Sequence, residues 1–181
     1  MTRIPLLVIA ATAACLAWTA CSTAPRSAEG KAEIVGKAEA AVAKAEAKDP
    51  ALTKVLRNAA GYAVFPTVGK GAVGVGGAYG KGVLYERGRM VGYCDLTQAT
   101  VGIQLGGQTY TEIIAFETQK AVDRFKSGHF AFDAQATAVV LKSGAVANAA
   151  YTDGVLVITT DEAGLMVEAS IGGQKFSYTD K

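Results

Sequence analysis

One histidine and three cysteines among 181 residues leave little material for catalysis or metal binding. His129 has no second histidine and no cysteine at ligand spacing, so a zinc site has no donor set. A nucleophilic triad would have to use it too, yet no Gly-x-Ser-x-Gly elbow is present. It follows the helix-ending Gly128 and reads as a surface or capping residue. The carboxylates Asp95, Glu112, Asp123, Asp133 and Glu168 are scattered, with no pair set out as acid and base. No catalytic residue, metal or cofactor is therefore assigned, and the expected class is non-enzymatic. A net charge of only +2, without a basic stripe, argues against nucleic acid as a partner.

Nucleotide binding is excluded on context. Gly69-Lys70-Gly71-Ala72-Val73-Gly74 fits the dinucleotide pattern, and Asp95 stands where a ribose ligand would. That pattern must open a helix whose N-terminus takes the pyrophosphate, whereas the residues that follow alternate as a strand. Neither Lys70 nor Lys81 is followed by Ser or Thr as a phosphate-loop lysine would be.

What the chain does have begins with an export signal. Arg3 precedes an apolar run from Ile4 to Ala20 that ends in small residues, the pattern of a cleaved leader. Two outcomes fit its end: cleavage before Cys21 with lipidation of its sulfur, or ordinary cleavage after Ala24. Leu16-Ala17-Trp18-Thr19-Ala20-Cys21 resembles a bacterial lipobox, with Trp18 in the place of the usual aliphatic residue. Ser22, not Asp, follows the cysteine, which in that resemblance implies the outer membrane. With Cys15 in the leader and Cys21 acylated, only Cys94 remains in the folded part and no intramolecular disulfide can form. The expected organisation is a leader over 1–20, a lipidated cysteine with a flexible tether over 21–31, and one domain over 32–181.

Within the domain, Ile34, Val35, Ala38, Ala41, Val42 and Ala45 recur at helical spacing. Asp49-Pro50 starts a second helix carrying Leu52, Val55, Leu56 and Ala59, which Gly61 can close. From Tyr62 the texture becomes β-branched and glycine-rich. Val73, Val75 and Tyr79 alternate with Ala72, Gly74, Gly76, Ala78 and Gly80, so one strand face is almost bare. Such a face implies a tightly packed helix or second sheet, or a surface open to a ligand or lipid chain. A hairpin turns at Glu86-Arg87-Gly88-Arg89, a strand carries Val101, Ile103 and Leu105, and Thr118 caps a helix ended by Gly128. Further strands are expected near 135–141, 145–151, 154–160, 164–171 and 174–178, with Asp161-Glu162-Ala163-Gly164 as a turn. The fold class is α+β: two N-terminal helices and one internal helix on a twisted antiparallel sheet or barrel-like sandwich.

Gly61-Tyr62-Ala63-Val64-Phe65-Pro66, the stretch Gly69 to Tyr85, Gly92-Tyr93-Cys94-Asp95-Leu96, Gly106-Gly107-Gln108 and Gly172-Gly173-Gln174-Lys175-Phe176 together resemble the SYLF domain family. The resemblance runs from the second helix to the C-terminus. It implies a lipid-binding domain: eukaryotic members bind phosphoinositides and engage actin, and bacterial members are often secreted lipoproteins. Here anionic phospholipid is the expected ligand, at the periplasmic face of the outer membrane, or in the periplasm if the chain is simply secreted. The alanine stripe over 32–47 lacks the bulky residues that drive interfacial insertion, so Cys21 supplies the membrane residence. Lys70, Lys81, Arg87, Arg89, Lys120, Arg124 and Lys126 are the candidate headgroup contacts, against the plainer reading of charged turns and a solvated helix face. The rival function is a tethered envelope scaffold that holds a protein partner on its glycine-rich sheet.

Overall fold

A computed structural model describes residues 23–128, 131–132 and 138–181. The expected leader, Cys21, His129 and Asp133 lie outside the described residues. In order come α1 (Ala28–Lys48), α2 (Ala51–Asn58), β1 (Gly61–Glu86), β2 (Arg89–Phe116), α3 (Gln119–Lys126), β3 (Ala131–Phe132), β4 (Ala138–Val140), a 3₁₀ turn (Val146–Asn148) and β5 (Val155–Asp180). The sheet order is β1-β2-β5-β3, all antiparallel, with β4 added parallel to β5. The α+β class holds; the sheet is mixed and open, so it is not a barrel.

Three very long strands give the fold its shape. β1, β2 and β5 span 26, 28 and 26 residues, far beyond the five or six of an ordinary strand, and the reason is that they bend. Val73 pairs with Leu105 and Val75 with Val101, so Gly74 faces the three residues Gly102 to Gln104 across a bulge. Gly74 and Gly106 have φ of +73° and +124°, which a residue with a Cβ rarely adopts. The ribbon folds over there, and the halves of β1 meet. A Cβ on Gly82 would lie 2.4 Å from the Val64 carbonyl oxygen, and one on Gly80 2.9 Å from Val68 Cγ2. The bare strand face is thus filled by the other half of its own hairpin.

Away from the bend, both faces of the doubled sheet are apolar and covered. Inside, Phe65, Leu84, Leu96, Ile114, Phe116 and Phe176 form one cluster, closed at the base by Val122 and Phe125 of α3. Phe125 lies 5.0 Å from Phe116 and 5.1 Å from Phe176, ring centre to ring centre. Outside, Ala38 and Ala45 of α1 with Leu52 and Leu56 of α2 cover Val64, Val83, Tyr85, Tyr93 and Ile113. The small alanines that make α1 a poor membrane inserter let it lie close on the sheet.

Local capping explains most helix ends. Ser27 Oγ accepts from the Gly30 amide, so α1 begins at Ala28, and residues 28–31 are helix where tether was expected. Asp49 accepts from the Ala51 amide at 3.1 Å and, across the fold, from the Val146 amide at 2.9 Å. Thr118 caps α3 and Gly128, at φ +70°, ends it, as the sequence predicts. The hairpin turn is also where the sequence places it, with Arg87 and Gly88 both left-handed, the two-residue geometry that suits strand twist.

Three expectations give way. Gly61 starts β1 and does not close α2; a Cβ there would press on the Tyr85 carbonyl oxygen. Residues 145–151 are not a strand, because the Asp49 carboxylate gathers Val146 into a 3₁₀ turn. Asp161–Gly164 is no turn: β5 runs through it, with Thr111 paired to Thr160 and Thr109 to Ala163. One extra residue on β5, two opposite the single Tyr110, makes a bulge, and the ladder to β2 overrides local turn chemistry.

Candidate functional site

The seven candidate cations do not share a face. Lys70 is only 7 % exposed and sits inside the doubled sheet, near the Glu112 carboxyl. Lys81 lies partway up β1, 3.6 Å from Asp95 Oδ1, and donates to the Thr23 carbonyl oxygen at 3.3 Å. Burial opposes its charge, but Asp95 and Tyr79 together hold its pKa above the ordinary lysine value. Burial raises the Asp95 pKa by more than Lys81 lowers it. The remaining five belong to the base of the molecule. Arg87 and Arg89 are exposed at the hairpin turn, and Lys120 and Arg124 are exposed on α3. Lys126 bridges these elements, 3.0 Å from Glu86 Oε1 and 4.9 Å from the Tyr178 ring centre.

Thr23, one of the first described residues, is buried. Besides the Lys81 contact, its hydroxyl donates to Ser177 Oγ at 3.4 Å. The segment read as a free tether is therefore fastened to β1 and β5 only two positions after Cys21.

The interior changes character toward the bend. Gln98, Thr100, Gln104, Glu112 and Gln174 are all buried there. Gln174 Nε2 donates to Glu112 Oε2 at 3.0 Å. Burial pushes the Glu112 pKa up to about 7, against smaller lowering effects from Gln174 and Lys70. Glu112 Oε1, Gln174 Oε1 and Gln98 Nε2 have no hydrogen-bond partner among the described residues. Nearer the fold line, Thr100 Oγ1 donates to Gln104 Oε1 at 2.8 Å, and Gln104 Nε2 donates to the Gly74 carbonyl at 3.2 Å. This clasp satisfies the carbonyl that the bulge leaves without a ladder partner.

The outer face of the bend is the reverse. Val73, Val75, Val101, Ile103 and Leu105 are 64–79 % exposed, with Tyr79 beside them. Scattered exposed apolar residues are ordinary, but a contiguous group marks an interaction surface. None of the seven candidate cations lies on this face. Its signal was present in the alternation of Val101, Ile103 and Leu105 with Thr100, Gly102 and Gln104, in strands without a charged residue from Gly71 to Gly80 and from Leu96 to Thr111.

Among the described residues no three His, Cys, Asp or Glu side chains gather as a metal site. Cys94 is fully buried, and burial pushes its thiol pKa well up, which makes it inert. No helix among the described residues is long and apolar enough to cross a membrane.

Residues 97–181 match the family described as Ysc84, Las17-binding protein actin regulator. That span takes in most of β2, with Val101, Ile103 and Leu105, then α3 and the whole of β5. The chain is also similar to Beta cell expansion factor A of Aeromonas veronii, 27% identical over 155 residues. The similarity covers 84% of this chain and 58% of that protein, so the chain matches little more than half of the curated relative's length.

Proposed function

We propose that the mature protein, whose residues 97–181 carry a Ysc84 (SYLF) domain, is a non-catalytic periplasmic lipoprotein. It is anchored through Cys21 at the outer membrane, and its folded domain contacts anionic phospholipid. The observation that carries this reading is the exposed apolar face of the bend, Val73, Val75, Val101, Ile103 and Leu105. A water-soluble sheet has no use for such a face unless something apolar covers it. The cations at the base, Arg87, Arg89, Lys120, Arg124 and Lys126, are a separate electrostatic contribution, and the salt dependence of binding measures it.

The test is co-sedimentation of residues 22–181 with vesicles of graded anionic content across a salt series. Binding that survives high salt assigns the contact to the apolar bend. Binding that needs anionic lipid and disappears with salt assigns it to the cations. No binding to any composition removes the lipid reading. It would leave a tethered scaffold with a protein partner, a reading favoured by the family description of Las17 binding.

A further inference from the structure

We propose that the bend is an insertion element: it enters the hydrocarbon of the bilayer that holds the Cys21 anchor, with the doubled sheet standing on it and the base turned away. This rests on the lipoprotein reading and adds a depth and an orientation to it.

The first argument is the inverted pattern. A half-solvated sheet puts apolar side chains in and polar ones out. At the bend Gln98, Thr100 and Gln104 are buried while Val73, Val75, Val101, Ile103 and Leu105 face outward. Polar-in and apolar-out is the alternation of strands that meet lipid. The interior there has no room for the reverse arrangement, since a Cβ on Gly76 would lie within 2.7 Å of Ala72, Thr100 and Gln104. Ladder bonds satisfy the backbone groups that β2 exchanges with β1 and β5, and the Gln104 clasp satisfies the Gly74 carbonyl, which lowers the cost of backbone entering lipid; the outer edges of β1 and β5 at the bend have no ladder partner among the described strands. Lys70, Lys81, Asp95 and Glu112 bracket the uncharged stretches of β1 and β2. On β5, Glu168 stands opposite Gln104 in the register.

The second argument is where the chain leaves the structure. Thr23 is held at Lys81 and Ser177, six positions along β1 from Val75, roughly 20 Å at the rise of a strand. Two residues back to Cys21 reach roughly 7 Å. An acylated Cys21 at the membrane surface keeps Thr23 within that distance of it. A sheet standing upright on its bend then carries Val75 on the order of 10 Å below the surface, inside one leaflet of a hydrocarbon core about 30 Å thick. The opposite pose, base down, would lift Thr23 beyond the reach of two residues, because Glu86 lies five positions on the other side of Lys81 and α3 packs beyond it.

The experiment is depth-dependent fluorescence quenching. Trp18 is the only tryptophan and leaves with the leader, so the mature acylated chain carrying Ile103→Trp has one indole, at the bend. It is reconstituted into vesicles of phosphatidylethanolamine and phosphatidylglycerol, with bromine at a known position along the acyl chain. Insertion predicts loss of most of the emission to acyl-chain bromine and protection from aqueous iodide. A companion mature chain with Arg87→Trp gives the reverse. If Ile103→Trp protein sediments with the vesicles but stays iodide-accessible and unquenched, the insertion is wrong while membrane residence stands. If neither chain sediments, the lipid reading fails as well. Protection of the bend indole in lipid-free solution, with sedimentation velocity showing a dimer, would make the face a contact between copies and overturn the proposal.

Discussion

The two ends of the doubled sheet are built from the same three strands and follow opposite rules. At the base, Phe65, Phe116, Phe125 and Phe176 fill the interior while α1 and α2 cover the outer face. At the bend the interior holds glutamine and threonine, and the outer face is bare valine, isoleucine and leucine. The base therefore carries the stability of the fold, and the bend is free to carry its contacts.

The largest expected contrast is in core deletion. Phe125→Ala at the base should lose about 3–5 kcal/mol, because the aromatic cluster cannot collapse around a missing ring; urea unfolding measures it. Unchanged stability would mean that the base is not the core. Next is Glu112, in the polar interior. Its folded pKa lies above its unfolded one, so the fold favours the protonated acid. The stability it contributes is complete below about pH 4.5, falls as pH rises toward 7 and is then flat. Glu112→Gln, which can still accept from Gln174, should be more stable than wild type at pH 8 by about 3 kcal/mol. It should lose the pH dependence between 5 and 7, as urea midpoints at the two pH values would show. A smaller effect is expected at the fold line. Gly74→Ala meets nothing within 4 Å, so its cost is the left-handed backbone alone, about 1–2 kcal/mol, read from the thermal midpoint. The smallest belongs to the outer face: Ile103→Ser should change stability by no more than about 0.5 kcal/mol while weakening vesicle recovery. A large destabilisation there would show that the face is packed after all.

Much of the base was legible beforehand because its signals are local. Thr118, Gly128 and the Arg87-Gly88 turn each act through a few neighbouring residues, and each appears where expected. The long-range features were harder to read. Gly76-Gly77 and Gly106-Gly107 suggest kinks, but nothing in their spacing says that a strand doubles back onto itself. Asp161–Gly164 has the composition of a turn and is held straight by pairing with β2 at Thr109 and Gln108. Lys70 looked like a loop cation, whereas the β1–β2 register turns it inward. The bare strand face over 72–80 is compatible with close packing or with an open ligand surface, and the fold takes the first of these. That the opposite face would stay uncovered depends on where α1 lies, and sequence periodicity alone does not give this.

The Thr23 contact also bears on the order in which the molecule can assemble. Thr23 meets Ser177 across 154 positions, and Asp49 meets Val146 across 97, separations that make for slow closure. A chain delivered N-terminus first, as in synthesis, presents α1 and β1 well before β5 exists to receive them. The β1–β2 hairpin can zip up alone, since its halves are joined by a two-residue turn, but the start of the chain must wait for its end. Loss of the last five residues, Ser177 among them, would free the segment that precedes α1 and leave that hairpin in place.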